Sequence, residues 1–319
     1  MFRKLFAAAA TAAVLATGVT TAQAQDYPSD TVRIIVPYSA GGVTDFYARL
    51  IAPELQEAWG QTVIVENKPG SGSLLGAMEV GTSEPDGLTL LLGSYGLLSN
   101  QILLPDSPYD PASIEPVYLL GRGSNMLIIG SEFEHDTLDS LTQYAKDNPG
   151  KLKVASSGIG ASPHIAALLW ADKVGVNFLH IPYQGTAPAM TDVLAGRVDV
   201  IFDGISSMAN VRAGKTKALA IAAAKRSPEA PDVPTFNELG IPFEFGSFFG
   251  FFVPTGTPQD IQDTIFEAVA KIARREDIDA QLQKRGLDTT PKTQADFKDF
   301  MTSELAALKK LEEQGLLAK

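Results

Sequence analysis

Short β-branched runs alternate with longer amphipathic segments along almost the whole chain. The runs are VRIIV (32–36), TVIVE (62–66), LTLLL (88–92), PVYLL (116–120), NMLII (125–129), KLKVA (151–155), NFLHI (177–181), RVDVIF (197–202), ALAIA (218–222) and FGFFV (249–253), and most neighbours enclose a helix-length stretch. Such a rhythm predicts an α/β architecture with helices laid against a sheet. In the first helical segment Phe46, Leu50, Ile51, Leu55 and Trp59 form one apolar face. Pro53, inside that segment, removes a backbone hydrogen bond and predicts a kink. Further helices are predicted over 138–146, 161–173, 187–194, 261–274, 278–285 and 294–314. Two apolar strand-like segments, 116–130 and 244–254, predict two crossings between lobes. The first lobe is then 25–124 with 247–319, and the second, 125–246, is inserted into it about a hinge.

The N-terminus reads as an export signal. Arg3 and Lys4 precede the 12-residue apolar run Leu5–Ala16, and Ala22-Gln23-Ala24 supplies a cleavage site, so residues 1–24 are expected to be a signal peptide. The run is shorter than the roughly 20 residues that span a bilayer. The mature chain is therefore expected in the periplasm and not embedded in the membrane. It has no cysteine, so its stability must come from its core rather than from disulfides. Cleavage takes two of 26 basic residues and none of 37 acidic ones, so the net charge becomes −13, which argues against a nucleic-acid partner.

Catalytic and cofactor patterns are sparse. The three histidines, His135, His164 and His180, lack metal-ligand spacing, so no metal and no cofactor is expected. Neither a phosphate-binding loop, a GxGxxG fingerprint nor a GxSxG elbow occurs. Ser162 and His164 leave an exported hydrolase as an alternative. Binding signals are richer: the small and hydroxyl-rich turns SAGGVTD (39–45), GSYGLLS (93–99), SSGIGASPH (156–164) and PYQGTAPAM (182–190) each follow a strand. Open α/β sheets bind ligands at such turns. A helix start there offers unpaired N–H groups and a positive dipole end, enough to hold a carboxylate without an arginine. Ser39, Thr44 and Ser162 also fit helix N-caps, Asp45 a stabilising first-turn acid, and Tyr95 and Tyr183 core residues with a bonded tip. Arg49 and Arg122 are further candidates for an anion contact.

The run YPSDTVRIIVPYSAGGVTD, followed by VIVENKPGSGSLLGA, PDGLTLLLGS, SPYDP, VASSGIGASPHIAA, HIPYQGTAPAMTDVLAGRVDVIFDG, AKRSPEAPDVPT and GFFVPTGTP, resembles the Bug-type periplasmic solute receptors of tripartite tricarboxylate transporters. The resemblance runs from about Tyr27 to the C-terminus. It implies a type II-like periplasmic-binding-protein fold, two α/β lobes joined by two crossing strands, closing on a small di- or tricarboxylic or aromatic acid. It also implies a monomer that delivers this acid to the large and small subunits of a membrane transporter; a receptor serving a sensor protein is the alternative. Matched motif by motif, the ligand contacts are Ser39, Ala40, Gly41, Gly42, Val43, Thr44 and Asp45 in the first lobe, with Ser94 and Tyr95. In the second lobe they are Gly160, Ala161, Ser162, His164, Tyr183, Gly185, Thr186, Ala187 and Asp203. The chain departs from the family at Ala40, where proline is common, at Ala161, where a hydroxyl is, at Gly204, where asparagine is, and at Phe248, where tryptophan is. With Phe249, these departures suggest a less polar distal pocket, suited to an aromatic or long-chain acid.

Overall fold

The computed structural model describes residues 27–317, and the expected leader lies outside them. The chain opens with β1 (Val32–Val36), α1 (Val43–Trp59), β2 (Val63–Asn67), α2 (Leu74–Gly81), β3 (Thr89–Ser94) and α3 (Gly96–Leu103). β1 pairs in parallel with β2 and β3. The 17-residue strand β4 (Ile114–Gly130) then leaves this lobe for the next. There follow α4 (Leu138–Asp147), β5 (Lys153–Ser156), α5 (Ser162–Val174), β6 (Leu179–Pro182), α6 (Thr186–Leu194), β7 (Val200–Gly204), α7 (Met208–Arg212) and β8 (Thr216–Ile221). The chain returns along β9 (Gly246–Pro254) and ends with α8 (Gln259–Ala273), α9 (Glu276–Lys284), β10 (Leu287–Asp288) and α10 (Gln294–Glu313).

The strands form one curled sheet in the order β2-β1-β3-β9-β4-β7-β5-β6, with β8 and β10 also pairing with β4. β4 changes partners along its length. From Ile114 to Ser124 it runs antiparallel to β9, and from Asn125 onward it pairs with β7 and β8. At the changeover the Asn125 N–H donates to the Phe245 carbonyl (3.1 Å), Phe245 N–H to Ala222 (3.0 Å) and Ala222 N–H back to Asn125 (2.8 Å). The two crossing segments are thereby tied to each other and to the end of β8.

Local chemistry accounts for most boundaries. α1 stops at Gly60, whose left-handed conformation lets its N–H reach Gln56. α10 starts at a capping box made by Thr293 and Asp296. The kink expected at Pro53 does not interrupt α1, which runs unbroken from Val43 to Trp59. The carbonyl that the proline leaves without a donor is that of Arg49, an exposed residue, where water can take its place.

Each lobe buries apolar residues on both faces of its strands. One face of the first lobe packs Ile34, Tyr47, Ile51 and Leu55 with Phe251 and Ile265, and the other packs Ile35 and Leu74 with Phe252 and Phe297. In the second lobe Trp170 and Phe202 fill one face, and Met126, Ile201 and Ile221 the other. Ile165 and Leu168 of α5 belong to the same cluster as Phe248 and Phe297. A helix of the second lobe is thus seated on the core of the first. Each such side chain contributes roughly 1.5–3 kcal/mol when fully buried, so this packing helps to hold the two lobes together.

Candidate functional site

The turn between β1 and α1 is held by one acid. Asp45 accepts hydrogen bonds from the Gly41 N–H (2.9 Å), Arg49 Nε (3.0 Å) and Asn67 Nδ2 (2.9 Å). Burial pushes its carboxyl up, but the bonds from Arg49, Gly41 and Asn67 outweigh this and hold it below the usual carboxylate range. Its oxygens are spent on the turn, so the ligand contact expected of Asp45 becomes a supporting one. Gly42 is the N-cap of α1 and no side chain caps this end, so the first amides of the helix lack a side-chain partner. Ser39 does not cap the helix either. Its Oγ and its N–H both donate to the Gln184 carbonyl in the second lobe, each at 2.8 Å.

The turn after β5 is built differently. Ala161 is the N-cap of α5, Ser162 is its first residue and Pro163 follows, again without a side-chain cap. Behind the turn, His164 and His180 stack with ring centroids 3.9 Å apart and planes within 9°. His164 Nδ1 accepts the Gly160 N–H at 3.2 Å, and His180 Nε2 lies 2.7 Å from Ser156 Oγ. Burial pushes His164 down to about 3, with His180 adding to the effect, and pushes His180 down to about 4. Both rings are therefore neutral supports at neutral pH. Among the described residues His164 bonds the Gly160 amide and not Ser162, so the pair needed for a serine nucleophile is not formed. No group of three His, Asp or Glu side chains suited to a metal occurs among the described residues.

Between the lobes lies a cavity of about 50 Å³, against roughly 10–15 Å³ for one water. It suits a small ligand or a few waters. Eight of the expected contacts line it: Gly42, Val43, Thr44, Ser94, Ala161, Ser162, Thr186 and Asp203. Ser94 Oγ is 2.8 Å from the Tyr38 hydroxyl, and Asp203 is buried with donors from Ser207 Oγ (2.6 Å) and the Gly204 N–H (2.8 Å). Burial pushes the Asp203 carboxyl up. Gly41 and Ala187 line the outer cleft that adjoins the cavity. Ala40 is exposed beside them, Gly185 packs against Ser39, and Gly160 and His164 shape the turn behind Ser162. Tyr183 points to Asp192 (2.6 Å). Tyr95 faces away, its hydroxyl 3.4 Å from Glu304 and its ring against Phe245.

Several lining residues carry no local sequence signal. Tyr47 and Phe249 meet edge-to-face at 4.9 Å and form an aromatic wall. Asn125, at the changeover of β4, is buried, and its Oδ1 has no partner. Arg285, at the end of α9, is the cavity's cation. Phe248 is wholly buried against Tyr95, Phe297 and Phe300 and takes no part in the wall, so of the two phenylalanines expected in the distal pocket only Phe249 reaches it. Arg49 is engaged with Asp45 and Asn67, and Arg122 lies over the Phe300 ring beside Glu304; neither lines the cavity.

The lobes also touch at a second edge. Asn100 Nδ2 donates to the carbonyls of Gly72 (2.8 Å) and Ile159 (3.1 Å), and Ser99 Oγ donates to the Gly160 carbonyl. A Cβ on Gly72 would stand 2.0 Å from the Ile159 oxygen.

Two α/β lobes, two crossing strands and a small cavity at the crossing that joins hydroxyls to an aromatic wall define the periplasmic-binding-protein fold. The chain belongs to the family described as the tripartite tricarboxylate transporter family receptor, matched over residues 47–316. It is 34% identical over 305 residues to a Pseudomonas sp. (strain P51) protein encoded in the tcbD-tcbE intergenic region, covering 94% of this chain and 91% of that one. It resembles the structure of MatC from Rhodopseudomonas palustris with bound malate (TM-score 0.86, 32% identity, 89% of this chain and 99% of that one). A second R. palustris protein, solved with adipate, matches with a TM-score of 0.87 and 30% identity over 92% of this chain and 99% of that one. The family and these structural neighbours are solute-binding proteins, and the family implies a periplasmic location. Among the described residues no helix is long and apolar enough to cross a membrane.

Proposed function

We propose that the protein captures a small carboxylate between its lobes and delivers it, as a monomer, to the large and small subunits of a tripartite membrane transporter, without chemically changing it. The lobes are 25–124 with 247–319, and 125–246, and residues 1–24 direct export. The observation that carries this reading is the cavity. It brings the uncapped starts of α1 and α5 together with the hydroxyls of Thr44, Ser94, Ser162 and Thr186. Amides and hydroxyls of this kind suit an anion. A ligand that touches both lobes binds the closed state better than the open one and so shifts the population toward closure. The malate and adipate held by the two R. palustris neighbours support a carboxylate. The unpaired arrangement of Ser162 and His164 counts against hydrolysis.

A thermal-shift panel of mono-, di- and tricarboxylic acids, aromatic acids, amino acids and neutral sugars tests this. Ligand at 100 times its Kd adds about 2.7 kcal/mol, a few degrees in Tm for a chain of this size. Ser162→Ala should weaken binding of the responding acid by about 1–3 kcal/mol. A response to neutral sugars alone, or turnover of the bound acid, refutes the proposal.

A further inference from the structure

The cavity has two unlike ends. Tyr38, Ser94, Ser157 and Ser162 line the cavity but not the adjoining cleft, as do Tyr47 and Phe249, so its inner end sets hydroxyls beside the aromatic wall. Gly42, Thr186, Asp203, Ser206 and Arg285 also line the outer cleft, so they form the mouth. At the mouth the Arg285 guanidinium lies against the Phe46 ring, 3.4 Å from its centroid. That stacking orients the cation and leaves its edge for hydrogen bonds.

Among the described residues no carboxylate comes within 4 Å of Arg285, although Arg33, Arg49, Arg122 and Arg226 each have one. Among the same residues no side-chain or backbone acceptor takes a hydrogen bond from it either. Asp203, the acid in the same cavity, already receives hydrogen bonds from Gly204 N–H on one oxygen and Ser207 Oγ on the other. A half-buried cation without a hydrogen-bond or ion-pair partner costs free energy, and in a chain of net charge −11 carboxylates for it abound. A charge left open at the mouth of a binding cavity is complementary to something that enters it.

We infer that Arg285 binds a second acid group of the ligand, so that the protein selects a short dianion with one acid group at the hydroxyl-lined inner end and the other at the guanidinium. This rests on the carboxylate-receptor reading above. Arg285 determines specificity, while the inner end and the turns supply binding common to all acids. Asp203 sharpens the choice, because a dianion must place its outer charge on the guanidinium rather than beside the buried carboxyl.

Calorimetric titration with succinate, glutarate and adipate, each against its monomethyl ester, tests the inference. The ester keeps one acid group and nearly the same shape. A charge-assisted contact predicts a preference of roughly tenfold to a hundredfold for the favoured diacid over its ester. Arg285→Gln should reduce that preference to about threefold or less, and Arg285→Lys, which keeps the charge and loses the fork, should retain part of it. Melting of the ligand-free variants confirms that they fold. If diacid and ester bind the native protein equally, or if Arg285→Gln keeps the full preference, the inference falls while the receptor reading stands. Binding of none of the diacids also overturns it, and the response to aromatic and monocarboxylic acids then decides the receptor reading separately.

Discussion

Gly72 offers a way to hold the lobes apart with one methyl group. Its φ is +62°, and a Cβ there would lie 2.0 Å from the Ile159 oxygen in the other lobe and 2.5 Å from Asn100 Nδ2. The Asn100 amide is the end of a side chain and can swing away. The Ile159 carbonyl is backbone, and only withdrawal of the second lobe relieves that overlap. Gly72→Ala should therefore forfeit the Asn100–Ile159 and Ser99–Gly160 hydrogen bonds in the closed state. At about 0.5–1.5 kcal/mol each, the closed state loses about 1–3 kcal/mol relative to the open one, which weakens ligand binding about 5- to 150-fold. The same substitution costs roughly 1–2 kcal/mol of stability for an alanine at positive φ, whether the lobes are open or closed. Gly60→Ala separates the two effects, since Gly60 has φ +66° and a Cβ there would meet nothing within 4 Å. Both variants should melt a few degrees lower, and only Gly72→Ala should bind weakly. Calorimetry with the acid that gives the largest thermal shift reads the affinity, and small-angle scattering at saturation reads closure. Equal affinity in the two variants would refute the closure argument.

Asp45→Asn should lower stability by about 1–3 kcal/mol in urea unfolding, because Gly41, Arg49 and Asn67 all donate to a charged acceptor; it should also weaken ligand binding by loosening the turn, and an unchanged urea midpoint would count against this role. The stacked histidines make stability depend on acid. Their folded values, about 3 for His164 and about 4 for His180, lie below the ordinary 6.5, so the unfolded chain takes up protons first. Stability is full above about pH 6.5 and is lost as pH falls toward 4, with His164 accounting for up to about 1.4 kcal/mol per pH unit. Urea midpoints measured from pH 7.5 to 4.5 should fall less steeply in a His164→Gln, His180→Gln variant, and identical slopes would show that the pair is not responsible.

Elements with a long apolar stripe were legible in the sequence. The helix expected over 138–146 is Leu138–Asp147, and that expected over 294–314 is Gln294–Glu313, where Phe297 and Leu308 keep the buried face. α2 and α3 were hidden because glycine and serine dominate their starts: in GSGSLLG and GSYGLLS these residues break any helical apolar period, yet Leu74, Ala77, Leu97 and Leu98 are buried. The turns at 39–45 and 156–164 pointed to the cavity because strand–turn–helix junctions carry their own signal. Asn125 and Arg285 carried none. One stands in the middle of an apolar strand and the other at the end of a polar helix, and each becomes a cavity residue only through pairing with distant parts of the chain. Ser39 and His164 show the complementary case: both lie in legible turns, yet one ties the lobes together and the other stacks behind its turn.

The partner exchange along β4 bears on how the chain acquires its structure during synthesis. Leu91 of β3 pairs with Phe252 of β9, which leaves the ribosome about half a chain length later. Until then β3 has an open edge, and the apolar face that will meet Phe251 and Ile265 is uncovered. The inserted lobe has every strand of its own sheet in hand by Ile221. It can assemble first and fix the far half of β4, from which the Ile114–Ser124 half extends as the strand that β9 will pair with, while the N-terminal strands wait, exposed to neighbouring chains, for β9 to arrive. A nascent chain stalled just past Gly246, with Phe236 and Phe243 already in the core of the inserted lobe, would therefore carry one finished lobe and one sticky half-sheet, and that stage is where a holding chaperone would have most to protect.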